Sequence, residues 1–425
     1  MLVERKKPPV LAESISRESS GLRFLFYSHD GLGLGHMRRN LAVARALTEM
    51  APGASVLLAT GTDEVSRLGL TPSIDVIKLP GLRKVGKDQY RPRHLQIPDS
   101  EIRSLRSALL LAAVETYRPA VVLVDKHPFG AKGEFRAGLE ELRASGGRAV
   151  LGLRDILDEP QRVSEEWAAY RMKERIAEVY DLVLVYGELS IFDPVSEYQF
   201  PESLAGRTRF CGYVVNRDRD RIAAEACECL RLLEDRTRPA VLATAGGGED
   251  GFLLLDTFLR AAVGAPWKGI AVAGPMIDPE KLEELQRLAT EANVSLCSFV
   301  PQLSHLFKSL DALVCMGGYN TLVEAISRGV PTVCVPRTLP RREQAMRARA
   351  FEQQGLLVAL DPEELTVTKL NQAISAALRR PREQLVQRAR AALNFDGAQT
   401  AARYLLELAM RMSPAEPRIA RVSVP

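Results

Sequence analysis

Long apolar runs are missing from this 425-residue chain. No stretch approaches the roughly 20 consecutive apolar residues of a membrane-spanning helix, which excludes helical membrane insertion and leaves only peripheral contact. The opening MLVERKKPPV is charged and proline-bearing, so a cleavable secretory leader is not expected. Cysteines number six, at positions 211, 227, 229, 297, 315 and 334, without the paired CxxC spacing of a zinc site. Scattered mostly through apolar runs, they read as reduced thiols of a cytoplasmic protein, working in the cytosol or at the inner face of the membrane. The five histidines, His29, His36, His94, His127 and His305, show no HxxxH or carboxylate spacing, so no metal site is expected. A net charge of +4 is too small to indicate nucleic-acid binding.

What the chain does have is alternation. Residues 1–20 lack periodicity and are expected to be disordered. From there, short apolar runs (LRFLFYS, SVLLAT, AVVLVD, AVLGLRD, DLVLVYG) alternate with helical patterns at 37–50, 100–117, 134–145 and 165–179, as βαβ units do. This predicts a first Rossmann-like domain over 21–194. The Pro- and Ser-rich stretch FDPVSEYQFPESLAGRT predicts a linker over 195–206. The alternation then restarts with AVLATA, GIAVAG, VSLCSFV, ALVCMG and TVCVP, predicting a second domain over 207–395. A helix over 396–412 is expected to return to the first domain, followed by a flexible tail over 413–425. The fold class is α/β: two doubly wound parallel-sheet domains facing a cleft, with chemistry in the loops beyond the strand ends.

Three such loops stand out. HDGLGLGHMRRN (29–40) fits neither GxGxxG nor GxxxxGK[ST], so its glycines, Gly33 and Gly35 among them, bring backbone close to some other ligand. His36 opens the following helix, and its near-neutral pKa makes it a candidate general base; the plainer alternative is a ring bonded to its own turn. Arg38 and Arg39 fall on different helix sides, so at least one is expected to be a solvated charge and the other, with Arg38 the candidate, to face an anion. Asp125 ends AVVLVD beside Lys126 and His127, where it can orient His36, act as a second acid or base, or hold acceptor hydroxyls. Arg154 and Asp155 end the next strand and fit an ion pair equally well. In TAGGGEDG (244–251), Gly246, Gly247 and Gly248 lead into a helix whose free N–H groups suit a diphosphate. In VCMGGYNTLVEAISRGVPTVCVPR (314–337), Gly317 and Gly318 end a strand, Asn320 or Thr321 is expected to cap the next helix or donate to phosphate, and Glu324 lies on the same face to accept from a ribose diol. The basic run LRKVGKDQYRPRH (82–94) reads as a solvated loop that can attract an anionic acceptor or lipid headgroups.

GGYNTLVEA, GVPTVCVPR and the downstream Gln344 resemble the donor-binding region of the glycosyltransferase family 28 C-terminal domain, the family of the bacterial N-acetylglucosaminyltransferase that forms lipid II. DGLGLGHMRRNLAVARAL resembles the matching N-terminal loop of the GT-B superfamily. The resemblance runs from Leu22 to about Leu406. It implies a GT-B fold, with Glu324 on the donor ribose, Gln344 on the donor sugar, and Gly246 to Gly248 with Gly317, Gly318, Asn320 and Thr321 on the diphosphate. Met316 and Gly317 stand where that enzyme has arginine and serine, so one polar donor contact is absent. The implied activity is metal-independent, inverting transfer of a sugar from a nucleotide-diphosphate donor, UDP-linked by resemblance, to a hydroxyl acceptor that is anionic or lipid-linked, with the nucleotide sugar a substrate and no cofactor. Two alternatives stay open at this point: a nucleotide-sugar hydrolase of the pseudaminic acid pathway type, and a non-catalytic nucleotide-sugar binding protein.

Overall fold

The structure, a computed structural model, describes residues 21–29, 35–62, 69–86, 89–216, 233–234, 237–248, 250–300 and 302–411. Its first sheet contains β1 (Arg23–Ser28), β2 (Ser55–Thr60), β3 (Ile74–Lys78), β6 (Val121–Asp125), β7 (Arg148–Arg154), β8 (Leu182–Tyr186) and β9 (Thr208–Phe210), in the order β3-β2-β1-β6-β7-β8-β9. Phe24 to Tyr27 of β1 and Val121 to Val124 of β6 are wholly buried, because a parallel strand covered on both faces needs apolar residues at consecutive positions. β1 pairs in parallel with β2 on one side and with β6 on the other. The chain thus winds outward from β1 in one direction, then returns to its other flank, leaving a topological switch point between β1 and β6.

The second sheet repeats the plan with β10 (Ala240–Thr244), β11 (Lys268–Val272), β12 (Ser295–Cys297), β13 (Ala312–Cys315), β14 (Thr332–Cys334) and β15 (Val358–Ala359), in the order β12-β11-β10-β13-β14-β15. Its switch point lies between β10 and β13, where Thr244 is in register with Cys315. By packing, the described residues of Met1–Gly152, Ile176–Leu184 and Gln399–Pro425 form one compact unit, and Leu153–Arg175 with Val185–Ala398 form a second.

In the first unit α1 (Gly35–Met50) follows β1 and buries Leu41, Val43 and Leu47. Helices α2 (Asp99–Tyr117) and α3 (Arg136–Ala144) pack on each other beside a buried polar knot just before α3: Arg106 of α2 donates twice to Glu134, at 2.6 Å each, and Tyr27 of β1 donates to the same carboxylate. Such a pair is affordable in a core only when each polar atom is met, and removing one partner costs about 3–5 kcal/mol. In the second unit α4 (Phe252–Ala262) buries Leu255, Phe258 and Leu259 against Trp267, with the Phe258 and Trp267 rings stacked at 5.3 Å. Each fully buried side chain of this size contributes roughly 1.5–3 kcal/mol.

Three local expectations change. Leu82 to His94 is not an open loop: β4 (Leu82–Gly86) and β5 (Gln89–Pro92) form an antiparallel hairpin. Its charges hide the pattern, yet Leu82 is 2% exposed and packs with Ile102 and Ala131, against which Tyr90 also rests. The helix expected over 165–179 is two, Pro160–Ala169 and Met172–Val179, broken at Arg171 by a left-handed φ of 46°. The stretch 192–208 carries short helices Pro194–Glu197 and Glu202–Ala205, with Tyr198 buried and its hydroxyl accepting from the Leu157 amide at 2.9 Å. A helix does span Gly397–Met410, while residues 1–20 and 413–425 lie outside the described residues. Among the described residues no helix is long and apolar enough to cross a membrane.

Candidate active site

The switch point of the first sheet is built from side chains. His36 is the second residue of α1, and 13% of its side chain is exposed. Its Nδ1 lies 2.9 Å from Oδ2 of Asp125, the last residue of β6. Arg39, one helical turn on and fully buried, donates to both oxygens of that carboxylate, at 2.9 and 2.6 Å. An ionised carboxylate only accepts, so the proton of the neutral imidazole sits on Nδ1 and Nε2 is left as the basic nitrogen. Arg39 Nη2 also stands 3.1 Å from Nδ1. With both atoms bearing hydrogen, that approach is not a bond.

Burial opposes ionisation of Asp125, but Arg39 first and His36 second outweigh it and bring the carboxyl down to about 2. Its stabilising contribution is therefore whole above its ordinary value of 3.8 and is lost as pH falls toward 2. Burial moves the His36 imidazole the other way for a base, below its ordinary 6.5, with Asp125 resisting and Arg39 and Lys126 adding to the fall. Since the unfolded chain takes up that proton first, His36 withdraws stability as pH drops below 6.5. At neutral pH the ring is an uncharged base held by a fixed anion, the arrangement that general-base catalysis uses.

Two more imidazoles lie at this end of the sheet. His127 follows Asp125 by two residues, its amide donating to the Asp125 carbonyl at 2.9 Å. His29, directly after β1, meets the His127 ring edge-on at a centroid distance of 4.2 Å. The His29 centroid is 5.6 Å from that of His36 and 6.2 Å from that of Tyr90. His29 is 8% exposed, and among the described residues its Nδ1 has no hydrogen-bond partner. Burial, then the neighbouring His127 and His36, lower its pKa well below the ordinary value.

The switch point of the second sheet is built from backbone. After β10, Gly246 is left-handed at φ 67° with open space where a Cβ would stand, and its amide is held by the Thr244 hydroxyl at 3.2 Å. Gly248, at φ 96°, serves packing instead: a Cβ there would lie 2.8 Å from the Ala273 carbonyl oxygen and 3.0 Å from that of Gly274. Gly274, in the loop after β11, is the reciprocal surface, since its own Cβ would lie 2.5 Å from the Gly246 carbonyl. Gly247 carries part of this joint through its carbonyl, which accepts from the Met276 amide at 2.9 Å.

After β13, Gly317 is left-handed at φ 83°, and a Cβ would meet Cys334 Sγ at 3.0 Å and Gln344 Cβ at 3.4 Å. A serine at 317 is thus disfavoured both by backbone and by neighbours, which explains the departure from the pattern that the resemblance implies. Gly318, with nothing within 4 Å of a Cβ, is the N-cap of α5 (Tyr319–Ser327), and no side chain caps the helix. Asn320 and Thr321 sit inside the first turn and do not cap it: the helix begins two residues earlier than a cap at Asn320 requires, leaving first-turn N–H groups without a side-chain cap. Glu324 is 3% exposed and accepts from Asn216 Nδ2 at 3.1 Å. Gln344, in α6 (Glu343–Gln353), accepts from the Arg337 amide through Oε1 at 3.2 Å. Arg347, one turn further, donates to the Gly317 carbonyl at 3.2 Å while gripping Asp155 at 2.8 and 2.7 Å. Asp155 therefore pairs with Arg347 and not with Arg154, its neighbour in sequence.

The expected residues fall into two groups. His36, Asp125 and His127 come together in the first unit, with Gly35 opening α1 and half-buried Arg38 on a different side from Arg39. Gly33 lies outside the described residues. Gly246 to Gly248, Gly317, Gly318, Asn320, Thr321, Glu324 and Gln344 belong to the second. Reasoning from sequence missed Arg39 as the partner of Asp125, His29 as a member of the imidazole cluster, and Asn216, Gly274 and Arg347. Only Gly274 had a visible signal, a glycine closing the strand-like run GIAVAG.

A family model of the glycosyltransferase family 28 C-terminal domain matches residues 270–404. The chain is 30% identical over 229 residues to NDP-glycosyltransferase YjiC of Bacillus subtilis, and that alignment spans 53% of this chain and 54%, about half, of the relative. It is 23% identical over 386 residues, 88% of the chain and 96% of the relative, to the UDP-N-acetylglucosamine--N-acetylmuramyl-(pentapeptide) pyrophosphoryl-undecaprenol N-acetylglucosamine transferase of Vibrio atlanticus. Among solved structures, a UDP-glucosyltransferase from Polygonum tinctorium has a similar fold, with a TM-score of 0.62 at 16% identity, covering 91% of this chain and 98% of that one. Residues 270–404 are thus similar to a glycosyltransferase family 28 C-terminal domain, and the chain has the two-sheet fold of the GT-B glycosyltransferases.

Proposed function

We propose that the chain transfers a sugar from a nucleoside diphosphate donor to a hydroxyl acceptor, with His36 as the general base. The observation that carries this reading is the 2.9 Å contact between His36 Nδ1 and an Asp125 carboxylate that Arg39 keeps ionised, at the switch point of a parallel sheet. His36 Nε2 takes the proton of the acceptor hydroxyl as its oxygen bonds to the anomeric carbon, while the bond from that carbon to the diphosphate oxygen breaks. Asp125 stabilises the imidazolium that forms. A single displacement of this kind inverts the anomeric centre.

The negative charge that develops on the diphosphate is met by peptide N–H groups of the glycine turn after β10 and of the uncapped first turn of α5, with the helix dipole in the same sense. These groups supply the charge compensation, so the reading assigns no metal to the step. Glu324, fixed by Asn216, accepts from the ribose hydroxyls, and Gln344 faces the donor sugar. The printed names of the Vibrio and Polygonum relatives support a UDP-linked donor. A reducing compartment suits the reduced thiols of Cys211, Cys315 and Cys334 and supports a cytoplasmic location.

The test is a panel of nucleoside diphosphates and their sugars screened for thermal stabilisation, followed by mass analysis with candidate acceptors. Wild type is expected to be stabilised by one nucleotide class and to give an acceptor heavier by one sugar. His36→Ala is expected to keep the stabilisation and lose about 10²–10⁴-fold in kcat. Free sugar as the only product, with no acceptor modified, would replace this reading by a hydrolase.

A further inference from the structure

The mechanism above uses one imidazole, yet the same strand ends hold a second with an unmet hydrogen bond. His29 directly follows β1 and Asp125 closes β6, its neighbour in the sheet, so the two residues leave the sheet at the same end. The His29 ring is 8% exposed, is fixed edge-on against His127 at 4.2 Å, and has its centroid 5.6 Å from that of His36. Among the described residues its Nδ1 meets no donor or acceptor. A buried polar atom left unmet in a folded protein requires an explanation, and a hydrogen-bonding ligand beside the catalytic base is one.

The chemistry narrows what that ligand presents. Lys126 and Arg106 add to the influences that keep His29 unprotonated, so it does not attract an anion by charge. A neutral imidazole nitrogen pairs with a hydroxyl whichever tautomer it adopts, because the hydroxyl both donates and accepts. The two imidazoles stand close enough for each to reach one of two oxygens on adjacent carbons, at ordinary hydrogen-bond lengths of about 2.8 Å. The rings of His127 and Tyr90 beside His29 suit either the face of an arene or the C–H face of a saturated ring.

We infer that His29 is an acceptor-binding residue whose Nδ1 holds the hydroxyl next to the one that His36 deprotonates, so that the chain selects vicinal diols over isolated alcohols. The inference rests on the proposed sugar transfer and names its acceptor class.

The test uses the full chain, its best donor from the nucleotide-sugar panel, and two matched acceptor pairs: 4-methylcatechol against 4-methylphenol, and cis-1,2-cyclohexanediol against cyclohexanol. In wild type the diol of at least one pair is expected to have a KM about 10-fold below that of its mono-ol, the size of one hydrogen bond. Which pair shows the preference distinguishes an aromatic from an alicyclic diol. In His29→Phe the ratio is expected to fall to about 1, and His29→Asn, whose amide falls near the Nδ1 position, is expected to restore part of it. Donor-induced thermal stabilisation reports that each variant is folded. Equal KM for diol and mono-ol in wild type, or the same ratio in His29→Phe as in wild type, overturns the inference, as does donor binding without transfer to either pair. Absence of donor binding in wild type instead overturns the reading beneath it.

Discussion

The two switch points of this chain solve the same topological problem with opposite materials. Between β1 and β6 the proposed chemistry falls to side chains: three imidazoles, a carboxylate and a buried guanidinium. Between β10 and β13 it is carried by backbone, with glycines turning left-handed and a helix beginning without a side-chain cap. A base must change its protonation state during the reaction, so it needs a titratable ring whose pKa the surroundings can set. A diphosphate keeps its charge throughout and is served by fixed dipoles that need no reorganisation. The first region is accordingly expected to govern kcat and its pH dependence, the second donor affinity.

The largest effect that breaks the comparison is at Asp125. Asp125→Asn removes the anion that orients His36 and is expected to lower kcat by about 10³–10⁴-fold, as loss of the carboxylate does in other histidine-carboxylate pairs. It also leaves Arg39 buried without its counter-charge, costing about 3–5 kcal/mol in unfolding free energy. Adding Arg39→Met to Asp125→Asn separates the two: the melting temperature should recover in part while kcat stays low. Next in size, Glu324→Gln keeps an acceptor for Asn216 but weakens the hold on a ribose diol, and is expected to raise donor KM about 10-fold with the pH profile unchanged. The smallest effect sharpens the backbone side. Gly248→Ala meets a carbonyl oxygen at 2.8 Å and should lose about 1–3 kcal/mol of stability, whereas Gly246→Ala meets nothing within 4 Å and should lose about 1 kcal/mol. Equal losses in calorimetry would remove the distinction drawn between a packing glycine and a ligand-facing one.

The same contrast explains what could be read from sequence. The backbone region was legible because glycine doubles as its own signal: TAGGG and MGG mark both the turn and the chemistry, and the following helix is periodic. The strand order was legible for a similar reason, since wholly buried parallel strands are continuous apolar runs. The side-chain region was legible only in part. His36 and Asp125 stood out by position, but Arg39 looked equivalent to Arg38 until burial distinguished them, and its partner lies 86 residues away. His29 sits at a strand end with no periodicity to mark it, and Tyr90 reaches it from a hairpin whose charges masked the alternation. Asn216 and Arg347 serve through contacts 108 and 30 residues distant, a separation at which no local pattern survives. The capping expectation for Asn320 failed by two positions because Gly318 already holds the extended backbone that an N-cap needs.

The most direct test of a neutral His36 acting as base is the pH dependence of kcat/KM for donor and acceptor, which reports ionisations of the free enzyme. Burial holds the His36 imidazole below its ordinary 6.5, so the acid limb is expected to be half-complete below pH 6.5, with rate lost as pH falls through it, and to disappear from the residual activity of His36→Ala. An acid limb centred at or above 6.5, or one that persists unchanged in that variant, would contradict the account.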